Sequence, residues 1–268
     1  MYVQEENSVY LSISDISKTF QQDKNPPLSV FHDINIAIQQ GEFVSLLGPS
    51  GCGKSTLLSI IAGLSRPSTG KILLENKAIT APGPDKSMVF QESALFPWMT
   101  VNENVTFPLR KKMNKKERAQ SAASYLKMVH LSKFADHYPH ELSGGMQQRV
   151  SIARALAMNA KLLLMDEPFG ALDEQTRIIL QEELERIWLE TEKTIIFVTH
   201  SIREAIKLSD RVIIMGARPG TVISDFKVDL PRPRLQQDMA ELEEEVLKIL
   251  KVEIDKVMKE ELQYAGSD

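Results

Sequence analysis

The sequence predicts an α/β fold: a mainly parallel sheet, an N-terminal antiparallel β subdomain and an α-helical subdomain inserted within the core. Three observations carry this. The apolar runs in "EFVSLLG", "KLLLMDEP", "TIIFVTH" and "RVIIMG" are short, rich in Val, Ile and Leu and bounded by Gly, Pro or charge, and read as strands buried on both faces. Stretches of helical period, "KSTLLSIIAGL" and "EQTRIILQEELERIWLE", lie between them. From about Ser93 to Asn159 strand signals fade, and "NKKERAQSAASYLKMVHL" and "GMQQRVSIARALAMN" read as helices.

Along the chain, "SVYLSISDISKTF", "SVFHDINIAIQQGEF" and "KILLENKAIT" read as strands of a small antiparallel sheet. "SMVFQ" is a further strand, at whose end the helical insert begins. "ARPG" followed by "DLPRPR" marks a turn-rich exit from the core. An acidic helix then starts near Gln236, with Met239, Leu242, Val246, Ile249, Leu250, Ile254 and Val257 on one stripe. The expected organisation is one domain over residues 1–234, its helical subdomain at about 93–160, and a helical tail over 235–268. So short a tail cannot build its own core. Its stripe is expected to dock on the domain, with a dimer contact or a regulatory role as the alternative.

Composition excludes several classes. With 268 residues, 43% hydrophobic and 25% charged, the chain buries a core without staples. A net charge of -4 gives no overall basic surface, so no nucleic-acid partner is expected. The single cysteine, Cys52, forms no intrachain disulfide, which fits a reducing compartment. The start "MYVQEENSVY" is polar and acidic, unlike a secretory signal. No apolar run approaches the roughly 20 residues that span a bilayer. Any membrane association is therefore expected through a partner.

"GPSGCGKS", Gly48–Ser55, fits the phosphate-loop pattern G-x-x-x-x-G-K-[ST], with a strand before it and a helix after. Gly48, Gly51 and Gly53 let successive N–H groups turn inward, with Pro49, Ser50 and Cys52 between them. The following helix, through Ser55 and Thr56, adds its N-terminal partial charge. Lys54 is expected to hold β- and γ-phosphates, and the Ser55 hydroxyl to ligate Mg²⁺. Cys52 reads as a small filler of a variable position, although modification there would block nucleotide sterically.

Asp166 and Glu167 end a buried strand, where α/β sheets bind ligands. Asp166 reads as the Mg²⁺-holding carboxylate, acting through a water. Glu167, pointing the other way along the strand period, reads as the general base for an attacking water. The alternative is a strand-end turn with solvated acids. His200 ends another buried strand, and reads as a hydrogen-bond partner of the γ-phosphate or the water. Gln91, again at a strand end, reads more weakly as a ligand of Mg²⁺ or of that water. "LSGG" opens a helix at Ser143, Gly144 and Gly145, an N-terminus clear of bulky side chains and hence a second anion cradle.

"GPSGCGKST", "VFQE", "LSGGMQQR", "LLLMDEPFGALD" and "VTHS" occur in the order and spacing of ATP-binding-cassette (ABC) ATPases. The resemblance runs from about Val9 to Arg234. It implies a P-loop NTPase core that binds ATP with Mg²⁺ and hydrolyses it. Phe20 looks like the aromatic that stacks on adenine, Gln91 like the Q-loop residue, Ala171–Asp173 like the D-loop and His200 like the H-loop residue. Such cassettes act as head-to-tail dimers around a pair of ATP molecules, the signature loop of one copy closing on the γ-phosphate held by the other. No site residue departs from the active pattern. A P-loop kinase has no use for "LSGG".

The chain has one cassette, no tandem copy and no long coiled-coil insert, which resembles a bacterial importer's ATPase subunit. The expected partners are a second copy, a membrane permease and, indirectly, an extracytoplasmic substrate-binding protein. The expected location is peripheral, on the cytoplasmic face of the membrane. "ESALFPWMTVNENVTFPL", "EPFGALDEQTR", "VTHSIREAIKLSDRVIIMGARPG" and "VDLPRPR" are similar to the nitrate/sulfonate/taurine importer subgroup. In the family the apolar Leu95, Phe96, Pro97, Trp98 and Met99 lie where a permease helix docks. Alternatively they pack the insert on the core. The other functional reading is a non-transport ABC ATPase acting on nucleic acid or protein complexes.

Overall fold

The computed structural model describes residues 9–23, 26–111 and 113–265, with side chains as far as Met258. The acidic start at residues 1–8 lies outside the described residues. The strands and α-helices are β1 (Val9–Phe20), β2 (Leu28–Gln39), β3 (Phe43–Leu47), α1 (Lys54–Ile61), β4 (Thr69–Leu74), β5 (Lys77–Ala78), β6 (Lys86–Val89), α2 (Val101–Thr106), α3 (Lys115–Met128), α4 (Gly144–Ala157), β7 (Leu162–Asp166), α5 (Glu174–Thr191), β8 (Thr194–Val198), α6 (Ile202–Leu208), β9 (Arg211–Met215), β10 (Val222–Lys227) and α7 (Gln236–Ala265). The chain forms two compact units. One combines the segment up to Pro82 with the segment from Thr194 onward; the other is Gly83–Lys193.

In the first unit, β2-β1-β4-β5 is an antiparallel sheet. In its second sheet β3 lies between β8 and β9, parallel to both. Every residue of β3 and β8 is buried, which is why their sequences, apart from Ser45 and Thr194, are apolar instead of alternating. β10 adds antiparallel to β9. The sequence predicts only a turn-rich exit here. Its alternate residues are only half buried, so the hydrophobic signal in "VISDFK" is weak. The exit proper, beyond β10, carries Arg232 and Arg234. The nearly buried Arg234 donates to the carbonyls of Ile206 (2.6 Å) and Ser209 (2.6 Å), and Arg232 to that of Leu208 (2.7 Å). They satisfy the acceptors that a helix C-terminus leaves open, here that of α6.

The tail helix α7 docks on this unit. Met239, Val246 and Leu250 are buried in a cluster with Leu47, Ile206 and Ile214, and Leu242 and Ile249 pack against it. Burying such side chains stabilises by about 1.5–3 kcal/mol each, so the stripe read from the sequence suffices to hold the helix.

The second unit pairs β6 with β7 in parallel and packs helices beside them. The buried Ser87 hydroxyl on β6 donates to the Ala155 carbonyl of α4 at 3.1 Å. Helix α2 is an addition to the sequence reading. Thr100 and Glu103 form a reciprocal capping box at its start. Its Asn104 is wholly buried: the side-chain amide donates to the carbonyls of Phe96, Met99 and Thr100, and its oxygen accepts from the Phe96 N–H. That residue fixes the loop carrying Phe96 to Met99.

Candidate active site

The phosphate loop leads from β3 into α1. Gly51 (φ 78°) and Gly53 (φ 100°) occupy left-handed backbone that disfavours any side chain. A Cβ on Gly53 would also lie 2.6 Å from the Phe31 ring. The Lys54 side chain runs back along the loop and is only 6% exposed; its ammonium donates to the carbonyls of Gly48 (2.8 Å) and Pro49 (2.9 Å). A buried cation held by neutral carbonyls is poised for an anion, which compensates its charge better than they do. Cys52 is buried, its Sγ 3.6 Å from Lys54 Nζ, in keeping with a filler. Ser55 and Thr56 occupy the first turn of α1, Ser55 exposed at the surface.

His200 follows β8 and is exposed. It faces a cleft of about 380 Å³ whose wall includes Gly48, Pro49 and Ser50, so the structure brings the histidine and the phosphate loop to one place. Its neighbours are fixed. Thr199 Oγ1 bonds Glu204 at 2.6 Å, and the Ser201 N–H donates to Thr199 Oγ1 at 3.0 Å, so the turn into α6 is rigid. Phe20, at the end of β1, is 44% exposed, with Lys18 Nζ 4.7 Å from its ring centroid.

In the second unit Asp166 is the last residue of β7 and is buried. Glu167 lies past the strand end with φ 44°. Its direction is therefore set by left-handed backbone and not by strand alternation, which corrects the sequence-based reason for its placement. A non-glycine residue there costs of order 1 kcal/mol or more, and such strain gathers at functional sites. The Gly170 N–H donates to the Glu167 carbonyl at 3.1 Å and closes the turn.

Ser143 caps α4, its hydroxyl accepting from the Met146 N–H at 3.3 Å. The two glycines that follow differ. A Cβ on Gly144 would meet nothing within 4 Å, whereas one on Gly145 would lie 3.1 Å from the Ala171 carbonyl and 3.4 Å from Leu172. Gly145 is thus small for its own chain's D-loop, and Gly144 leaves a free face. Gln91 lies two residues beyond β6 and shares a groove of about 560 Å³ with Leu95, His140 and Gly144.

Two residues that sequence reasoning passed over join these parts. Ser93 Oγ bonds Gln147 Oε1 at 3.1 Å, while Gln147 Nε2 donates to the Pro139 carbonyl at 2.9 Å. Buried Gln148 donates to the Phe90 carbonyl at 3.0 Å. Their signal in the sequence is only the "QQ" behind "LSGGM". Beside them Phe96 packs on Phe107 (centroids 4.6 Å) and Trp98 (5.7 Å), with the Arg154 guanidinium 5.5 Å from the Phe96 ring. Burial holds the Arg154 pKa below its ordinary value. Trp98 itself is 69% exposed, so it is not core packing. Asp173, at the end of the D-loop, caps α5; the Thr176 N–H at 3.0 Å lowers its pKa from the usual carboxylate value.

Among the described residues no group of three or more His, Cys, Asp or Glu side chains is gathered to hold a metal, and no helix is long and apolar enough to cross a membrane.

A glycine cradle on a helix N-terminus with a buried lysine, two carboxylates at a strand end and a second glycine-opened helix define a nucleotide triphosphatase of the cassette type. The ABC transporter family matches over residues 31–170, and the chain belongs to it; it is an ATPase with a P-loop NTPase α/β fold. It is 49% identical over 254 residues to an uncharacterised ABC transporter ATP-binding protein of Methanocaldococcus jannaschii, covering 94% of this chain and 95% of that one. It is 46% identical to the nitrate import ATP-binding protein NrtD of Synechocystis, covering 83% and 84%. It is also 46% identical to the nitrate import ATP-binding protein NrtC of Synechococcus elongatus, covering 87% of this chain but 36% of that longer protein. Among solved structures, a dimeric ATP-binding cassette in a post-hydrolysis state with ADP and Pi superposes with a TM-score of 0.75 at 36% identity, covering 82% of this chain and all of that one.

Proposed function

We propose that this chain is the ATP-hydrolysing subunit of an importer for small solutes of the nitrate, sulfonate, taurine or bicarbonate kind, working as a head-to-tail dimer on a membrane permease at the cytoplasmic face. The observation that carries the dimer is the free face of Gly144 at the start of α4. It is an anion-ready helix N-terminus in a chain whose phosphate loop lies elsewhere, on α1. The kinship with NrtD and NrtC supports the importer reading.

In this reading Phe20 stacks on adenine, and the Gly48–Thr56 loop with Lys54 holds the phosphates. Ser55, Asp166 and Gln91 would be the side chains to hold Mg²⁺, a hard cation that takes oxygen ligands and would supply positive charge beside the phosphates when bound. Glu167 accepts the proton of the attacking water, and His200 hydrogen-bonds the γ-phosphate or that water. Ser143, Gly144 and Gly145 of the second copy close on the γ-phosphate. ATP then binds the closed dimer better than the open one, and its hydrolysis releases closure. The groove by Gln91 and the exposed Trp98 form the surface offered to the permease. A substrate-binding protein outside the membrane acts only through that permease.

Affinity purification of the tagged chain from membranes tests this. A multi-span membrane protein should co-purify, and ATPase activity of the reconstituted complex should rise with the transported solute. Activity that instead rises with DNA or ribosomes, with no permease recovered, would replace the importer by a non-transport ATPase.

A further inference from the structure

The segment from Met215 to Gly220 backs the phosphate loop at three points. A Cβ on Gly48 would lie 2.5 Å from the Met215 carbonyl, and one on Gly220 would overlap the Cys52 carbonyl. Between them, Arg218 donates from Nε (3.2 Å) and Nη2 (3.0 Å) to the Gly51 carbonyl. Gly220 is itself fixed on β2, donating to Val30 (2.8 Å) and accepting from His32 (3.1 Å).

The start of this strap is held by the tail helix. Glu253 of α7 is 5% exposed, and its Oε2 accepts from the Ala217 N–H at 2.8 Å. A Cβ on Gly216 would lie 2.9 Å from that same oxygen, so glycine there admits the carboxylate. The other carboxylate oxygen pairs with the more exposed Lys256. The adjacent Ile254, with Val257 and Met258 a turn on, lines the cleft shared with Gly48, Pro49, Ser50 and His200. A buried carboxylate is a poor choice for stability alone, because its desolvation cost exceeds what an apolar residue would incur. The helix already has an apolar stripe that docks it. The carboxylate's distinctive service is directional: it fixes the main-chain N–H of Ala217, the residue next to the Arg218 that bonds Gly51.

We propose that Glu253 and Arg218 are positioning residues for nucleotide binding. The tail helix sets the phosphate loop through Glu253, the Gly216–Ala217 backbone, Arg218 and Gly51, so that α7 docking and nucleotide affinity are coupled. This rests on the reading of Gly48–Ser55 as the nucleotide loop.

The test is ADP and ATP affinity, with Mg²⁺, of the purified full chain by titration calorimetry. Lys54→Ala tests the underlying reading and should abolish binding; if it binds as the wild type does, that reading falls and the proposal with it. With Lys54→Ala inactive, Glu253→Ala and Arg218→Ala should each weaken binding about threefold to tenfold. The double variant should be no weaker than the worse single one, because both break one linkage. Glu253→Gln keeps an acceptor for Ala217 and should restore near wild-type affinity. Amide exchange at residues 48–54 should quicken in Glu253→Ala and not in Glu253→Gln. Arg218 is exposed, so its variant folds whatever becomes of the other. Wild-type affinity in both alanine variants, additive losses, or a Glu253→Gln as weak as Glu253→Ala would each overturn the proposal.

Discussion

Gln148, on the helix that the signature opens, donates a hydrogen bond of 3.0 Å to the main-chain carbonyl of Phe90, next to Gln91. The signature helix and the Q-loop are thus joined by a buried amide. Gln148→Ala leaves that carbonyl unsatisfied in the interior, at a cost of about 2 kcal/mol. Urea denaturation should show the loss, and Gln148→Glu, which sets an acceptor against an acceptor, should be at least as damaging.

Gly144 and Gly145 should separate in their effects. Gly144→Ala meets no atom of its own chain, so the melting temperature should hold while ATP-driven dimerisation and turnover are lost. Gly145→Ala presses on Ala171 and Leu172, and should lower the melting temperature of the monomer as well. Thermal unfolding and ATPase rates measured on the same samples decide this.

Trp98 contributes little to the core, being mostly exposed. Trp98→Glu should leave unfolding and the ATPase activity of the isolated chain close to wild type, within about 0.5 kcal/mol in stability. Recovery of the permease in pull-downs should fall sharply. A large destabilisation would return Trp98 to a packing role.

Asp173 adds an acid-sensitive element. Its folded pKa is depressed, first by the Thr176 N–H it accepts from, so its stabilising effect is complete above the unfolded value of about 3.9 and is lost as pH falls through the lower folded value. Asp173→Ala should therefore melt earlier than wild type at neutral pH, with the gap closing only in strongly acid solution. Asp173→Asn, itself a good cap, should track the wild type at neutral pH.

The legible parts of this molecule were those where chemistry demands a residue type at a fixed spacing. Lys54 behind three glycines, the Asp166–Glu167 pair and His200 after an apolar strand are of this kind. So were β3 and β8, apolar but for one small hydroxyl residue each, and the stripe of α7. What stayed hidden acts through main-chain groups distant in sequence. Arg218 reaches Gly51, Gln148 reaches Phe90 and Arg234 reaches Ile206, and no local pattern announces such partners. β10 was missed because an edge strand half exposed to solvent carries little hydrophobic signal. The direction of Glu167 is not legible from strand period, since periodicity stops where the left-handed turn begins.

The central claim is that the phosphate loop and the Gly144 face serve one ATP from two copies of the chain. Light scattering of Glu167→Gln in ATP and Mg²⁺ tests it most directly. Removing the proposed base should lower hydrolysis by about a hundredfold or more while binding persists, so the variant should run as a dimer in ATP and a monomer in ADP. Adding Gly144→Ala should return it to a monomer that still binds ATP. A Glu167→Gln chain that binds ATP and remains monomeric would contradict the account.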